Sequence, residues 1–285
     1  RETAGENGGG MEKAGTRKFA VLLCADESEH MKQAYGGYLK VFMGLLGEED
    51  ETWHVYRAMH GELPCMADVH TYDGFVITGS CSDAHGDDRW INDLVSFLRS
   101  LDSMKKKVLG VCFGHQILSR ALGGKTGRAM KGWDIGVTCI HFSPSAIKLL
   151  SSLHIPSHLP VIECHRDEVC EEEARSILQA VSSFHADDDL LAAQVWQPPP
   201  DAEVMACSEK TGVEMFRYGD HMMGIQGHPE YNKDILRHLL DRLLQRNLIQ
   251  ACQAETAKAS LEAQEPDLEA WKRLCRGFLT GQLSW

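Results

Sequence analysis

Lys107-Val108-Leu109-Gly110-Val111-Cys112-Phe113-Gly114-His115-Gln116 is the stretch that decides the fold. It opens as a short apolar run of strand length. The residues after it, Ile117, Leu118, Ala121 and Leu122, have helical spacing and stop at Gly123-Gly124. A buried strand passing directly into a helix is half of a βαβ unit. Cys112 sits at the junction with Gly110 and Gly114 on either side, as a tight turn without room for side chains requires. This is the thiol counterpart of the serine nucleophile elbow. The positive end of the helix is expected to favour thiolate over thiol, and the Phe113 N–H to point into the site as half of an oxyanion hole. The bland alternative is a buried strand-end cysteine with incidental glycines.

The same alternation extends outward. Lys18–Cys24, Thr52–Ala58 and Gly74–Thr78 read as strands, and Met31 to Leu46 as a helix interrupted at Gly36-Gly37. Ile91 to Leu101 carries apolar residues at 91, 94, 95, 98 and 101, which is helical spacing. Strands alternating with helices predict a mostly parallel sheet flanked by helices. Further on, Asp134–Ile140, Val161–Cys164, Val204–Cys207, Gly212–Tyr218 and Met222–Gln226 are short strands between turns, predicting a small antiparallel extension. Asn232 to Leu248 is an amphipathic helix, and Gln253 to Leu279 reads as two more, broken at Pro266.

Composition narrows the function classes. The 285 residues include 41 acidic and 29 basic side chains, a formal net charge of −12, which argues against a nucleic-acid surface or a polybasic membrane anchor. Apolar runs such as Phe19–Ala25 are strand-sized, far short of the roughly 20 residues that span a bilayer. Ten cysteines occur without a C-x-x-C pair, so neither a zinc ribbon nor a redox motif is expected. The polar, Gly-rich start lacks an apolar signal core, and a cytosolic location with free thiols is the expectation. Arg1–Gly10 is read as an upstream addition with Met11 the natural start, and 1–16 as a disordered segment.

A second motif gives the first its chemistry. Gly224-Ile225-Gln226-Gly227-His228-Pro229-Glu230 ends a strand with an imidazole and a carboxylate two residues apart. A thiol nucleophile needs an imidazole base, and the imidazole needs an acceptor that fixes its tautomer. His228 and Glu230 can supply both from one turn.

Together, G-x-C-x-G-x-Q and G-x-Q-x-H-P-E resemble the class I glutamine amidotransferase domain with its Cys-His-Glu triad. The chain resembles more closely still the plant γ-glutamyl peptidases of that superfamily. That likeness is carried by Tyr35-Gly36-Gly37-Tyr38, Tyr72–Ser80, Met104–Gly110, Cys164-His165-Arg166-Asp167-Glu168-Val169, Gly212–Phe216 and His228–Asn232. The resemblance covers about 17 to 280 apart from one insertion. It implies a single flavodoxin-like domain over 17–250 with a helical extension over 251–285. It also implies cofactor-free thiol hydrolysis of a small γ-glutamyl substrate such as a glutathione conjugate. On it, Cys112 is the nucleophile, His228 the base and acid, Glu230 the orienter, and Gly79 and Phe113 the oxyanion donors. Gln116, His165, Arg166 and Asp167 match positions bordering the glutamyl pocket; for these the plain structural role stands beside the functional one.

Two departures stand out. Cys81 follows Ser80 where members commonly have proline, which loosens the expected oxyanion turn. Cys170–Val195 is extra, and is read either as an elaborated loop or as a gene-model artefact that packs loosely; without it and Arg1–Gly10, roughly 250 residues remain, a one-domain length. Two other functions stay open: a glutaminase supplying ammonia to a partner synthase, and an amidotransferase-like binding protein with a disabled site. Oligomeric state is not legible.

Overall fold

Phe19, Val21 and Leu23 of strand β1 (Lys18–Leu23) face one side of a sheet, Ala20 and Leu22 face the other, and both sets are buried. Burial on both faces is the mark of a strand inside a helix-covered parallel sheet. The structure, a computed structural model, describes residues 16–128, 132–169 and 197–283. The proposed insertion at Cys170–Val195 lies outside the described residues, and so does nearly all of the segment 1–16.

Strands β2 (Thr52–Arg57), β3 (Gly74–Ile77) and β4 (Lys107–Val111) lie parallel to β1 in the order β2-β1-β3-β4, part of a sheet of nine strands among the described residues. Strand β11 (Met222–Ile225) adds to β4 in parallel. Beyond it β10 (Met215–Tyr218), β9 (Ala202–Cys207), β6 (Asp134–Phe142) and β7 (His158–His165) pair antiparallel in succession. The expected extension is therefore continuous with the parallel sheet. A short ribbon of β5 (Thr126–Arg128) and β8 (Asp167–Val169) stands apart.

Helices α1 (Glu29–Tyr35) and α2 (Tyr38–Leu46) are separated by Gly36 and Gly37, at φ 73° and 103°, as the glycine pair predicts. Helices α3 (Arg89–Ser103) and α4 (Phe113–Ala121) cover one face of the sheet through Ile91, Leu94, Leu98, Ile117 and Leu118. The other face is covered by α2, α5 (Pro144–Leu150) and the last helix. Helix α5 has Ser143 as N-cap and Pro144 in its first turn, a start signal that the sequence analysis passed over. Helices α6 (Lys233–Gln245) and α7 (Ala251–Ala263) pack by the antiparallel strands. Helix α8 (Leu268–Leu279) brings Trp271, Leu274, Cys275 and Phe278 wholly into the core, each large apolar side chain contributing about 1.5–3 kcal/mol by burial. Among the described residues no helix is long and apolar enough to cross a membrane.

Candidate active site

In parallel sheets ligands sit beyond the carboxyl ends of the strands. Ile77 pairs with Gly110, and Gly110 with Gly224, so the ends of β3, β4 and β11 lie side by side. The residues that follow them are Gly79, Cys112 and His228. Three sequence-predicted groups, far apart along the chain, thus meet at one edge.

The elbow is held by its two glycines. A Cβ on Gly110 would overlap the Gly114 carbonyl, and one on Gly114 would overlap the Ile77 carbonyl. Strand β4, α4 and the end of β3 approach too closely for any larger residue. Cys112 takes φ 54° and ψ −108°, a conformation costing about 1–3 kcal/mol for a residue with a side chain. Its N–H donates to the Ile225 carbonyl at 2.8 Å, locking the turn to β11. The Phe113 N–H is directed at the Cys112 sulfur, and the Phe113 ring stacks on Trp90 at 5.5 Å.

Gly79 closes the site from β3. A Cβ there would stand 2.9 Å from Cε1 of His228 and 3.7 Å from both Cys112 Cβ and the Tyr38 hydroxyl. The loop beyond is tied to the elbow helix by Arg120, which donates to the carbonyls of Ala84 at 2.8 Å and Gly86 at 2.7 Å. Cys81, in the position where proline is usual, is exposed.

His228 Nδ1 and Glu230 Oε1 are 2.8 Å apart, both side chains being buried. The His228 N–H donates to the Ile162 carbonyl at 2.7 Å, fastening this turn to β7. Two residues that the sequence offered only as part of the resemblance complete the cluster. The Tyr38 hydroxyl lies 2.8 Å from the same Glu230 oxygen and 2.9 Å from the Tyr231 hydroxyl. The Tyr231 ring stacks on the His228 imidazole at 4.0 Å, tilted only 2°.

The thiol expectation changes here. Burial pushes the Cys112 thiol well above its usual range, and Cys164, Glu163 and Glu230 add to the rise, against the Phe113 N–H that favours thiolate. The end of a nine-residue helix does not outweigh loss of water. The balance of these groups favours the thiol form over the thiolate.

The four proposed pocket residues part company. Gln116, buried one helical turn beyond Cys112, donates from Nε2 to Gln226 Oε1 at 3.2 Å. His165 is buried at the end of β7, with Nε2 3.2 Å from Glu163 Oε2. Arg166 is exposed. Asp167 begins the outer ribbon, pairing with Arg128 along the backbone, and its side chain lies outside the described residues. Two carboxyl groups that the sequence analysis missed, Glu163 and Glu214, are buried beside His165. Burial pushes both well above the usual carboxylate range; Asp134 adds to the rise of Glu163, and Glu163 to that of Glu214. A signal existed: Val161, Glu163 and His165 alternate on one side of β7, so a carboxylate occupies a core-facing position. Among the described residues no group of three or more His, Cys, Asp or Glu side chains is arranged to hold a metal ion.

With this geometry in place, a family model described as "Glutamine amidotransferase class-I" matches residues 63–245. The chain belongs to this family. The gamma-glutamyl peptidase 5 of Arabidopsis thaliana is 44% identical over 268 residues, covering 93% of this chain and 96% of that protein. Gamma-glutamyl peptidase 3 of the same plant is 42% identical, covering 93% and 97%. The crystal structure of a glutamine amidotransferase from Thermotoga maritima superposes with a TM-score of 0.63 over 93% of this chain and 98% of that one. At 17% identity that likeness speaks for the fold alone. The class I amidotransferase fold expected from the two motifs is the fold observed, and the family member described here is a cysteine-dependent hydrolase.

Proposed function

We propose that this protein hydrolyses the γ-glutamyl amide bond of small molecules, glutathione conjugates among them, with Cys112, His228 and Glu230 as a triad. The observation that carries this reading is the convergence of Gly79, Cys112 and His228 at three adjacent strand ends, with His228 oriented by Glu230 at 2.8 Å. Near 40% identity to gamma-glutamyl peptidases along almost the whole chain supports the choice of substrate class. His228 takes the Cys112 proton as sulfur attacks the γ-carbonyl carbon, and the N–H groups of Phe113 and Gly79 receive the developing oxyanion. The imidazolium, held by Glu230, protonates the leaving amine as the C–N bond breaks, leaving a γ-glutamyl thioester. Water deprotonated by His228 then attacks the thioester, the C–S bond breaks, and glutamate and free thiol return.

The family match favours a second reading, a glutaminase supplying ammonia to a partner synthase. The test is a product assay with a glutathione S-conjugate, a γ-glutamyl amino acid and free glutamine. Glutamate with the cysteinylglycine conjugate is the expected result. Ammonia from glutamine as the dominant product supports the glutaminase instead. No turnover of any of them, together with failure of an electrophilic glutamine analogue to label Cys112, favours a binding protein.

A further inference from the structure

Tyr38 belongs to a hairpin remote in sequence from either catalytic motif, and the reaction above leaves it without a role. It nevertheless meets the site more closely than the proposed pocket residues do. Its hydroxyl reaches Glu230 Oε1 at 2.8 Å, the same oxygen that accepts from His228 Nδ1. Its other hydrogen-bond partner is the Tyr231 hydroxyl at 2.9 Å, and the Tyr231 ring lies flat on the His228 imidazole. A phenol has one hydrogen; the Tyr38 hydroxyl is the donor toward both oxygens, and the carboxylate is the stronger acceptor of the two. The four side chains form a closed loop in which Glu230 Oε1 is held by two donors and the imidazole by a bond on one edge and a ring on one face.

Tyr38 is itself placed with care. It is the first residue of α2, directly after Gly37, and its N–H donates to Glu27 Oε1. Gly37 takes φ 103°, a backbone conformation that favours glycine, and a Cβ there would stand 2.8 Å from that same Glu27 oxygen. Tyr35, in the preceding helix, donates to Asn232 Oδ1 at 3.3 Å at the start of α6. Met31, Val41, Tyr231 and Ile235 pack in one buried cluster beneath. The hairpin is thus bolted to the elements that carry His228 and Glu230, and it presents one hydroxyl to them. Burial, then Glu230, keep both Tyr38 and Tyr231 well above the usual phenol range, so both hold their protons.

We infer that Tyr38 is a positioning residue of the triad: its hydroxyl fixes Glu230, and through Glu230 the tautomer and direction of His228. Among the described residues the Oε2 atom of Glu230 is buried without a hydrogen-bond partner, and the hydrogen bonds that direct the carboxylate fall on Oε1. Removing one of the two donors on that oxygen frees the carboxylate to turn, and the imidazole loses the orientation that aims it at Cys112. Among the described residues, the titratable groups that bear on the thiol and the orienting carboxylate are Glu163 and Cys164 from β7, Glu230 and Tyr231 from the turn after β11, Cys275 from α8 and Tyr38 from α2. Of these, only Tyr38 touches the orienting carboxylate from a separate element of the fold.

The kinetic arm of the test rests on the proposed γ-glutamyl hydrolysis; the chemical arm does not. Alkylation of Cys112 by iodoacetamide, followed by mass spectrometry of its peptide across pH 5 to 10, reports how readily His228 draws off the thiol proton whatever the substrate. In Tyr38→Phe, alkylation at pH 7 should slow at least about fivefold and its midpoint move to higher pH. With a γ-glutamyl substrate, kcat should fall about tenfold while KM stays within about twofold, as expected for a group that acts only in the chemical step. Tyr231→Phe keeps the ring on His228 and leaves Tyr38 free to donate, so its effect should be the smaller of the two. An alkylation profile for Tyr38→Phe that overlays the wild type overturns the inference, and so does a loss confined to KM or to thermal stability. If no γ-glutamyl compound is turned over, the proposed function fails, while the alkylation comparison still decides the role of Tyr38.

Discussion

Cys24 and Cys112 follow strands β1 and β4 at the same edge of the same sheet, and both are buried. Burial raises both thiols. Around Cys24 the groups are inert: its N–H donates to the Thr78 hydroxyl at 3.0 Å, and its sulfur lies 3.6 Å from the Leu22 carbonyl. Cys112 stands instead in a strained elbow with the Phe113 N–H on its sulfur and the Gly79 turn and His228 beside it. A strand-end thiol in such a sheet is ordinary by itself. The strained backbone and the neighbours at its turn set Cys112 apart.

The largest test of that comparison replaces each thiol in turn. Cys112→Ala should lower kcat/KM by about 10⁴-fold or more, as removal of a nucleophile does, whereas Cys24→Ala should keep activity and cost about 1–2 kcal/mol of stability; steady-state rates beside denaturant melts decide it. Next comes the oxyanion turn. Gly79→Ala puts a methyl 2.9 Å from His228 Cε1 and should reduce kcat about 10²–10³-fold with the fold intact by circular dichroism. Smaller in free energy is Gly114→Ala, which drives a methyl into the Ile77 carbonyl and should destabilise by about 3 kcal/mol in urea titration.

The smallest effect concerns one buried histidine. His115, on the elbow helix, is wholly buried by the Phe216 ring 4.9 Å away, and burial pushes its pKa down to about 3. It stays neutral in the folded protein while the unfolded chain binds a proton below about 6.5, so stability falls as pH drops from 6.5 toward 3. Denaturant titrations at pH 7 and pH 5 should show the wild type losing about 2 kcal/mol that His115→Leu keeps. Equal losses in both would place the acid sensitivity elsewhere.

Why one region was legible and another was not follows from the same contrast. The elbow is written in glycines, because backbone there touches backbone, and spacing alone exposed Cys112 and its helix. The His228 turn was legible for a related reason, since imidazole and carboxylate sit two residues apart. Tyr38 meets Glu230 across 192 residues, and nothing local marks its hydroxyl as special. Glu163 lies on β7 and Glu214 just before β10, and only β7 alternation hinted that one faces inward. Arg166 and Asp167 entered through resemblance; the first is exposed and the second opens the outer ribbon. The lowered thiol pKa failed because helix position is visible in sequence and burial depth is not.

The last helix carries a consequence for how the protein is made. Trp271 and Phe278 fill the core, the Trp271 indole donates to the Pro160 carbonyl at 2.9 Å, and β4 is flanked by β11, more than a hundred residues later in the chain. A ribosome delivers these pieces last. While Cys112 is already synthesised, the strand that locks its turn, the His228 turn beside it and the helix that seals its sheet are still absent. The elbow therefore meets its partner strand and the His228 turn only late in the synthesis of the described residues.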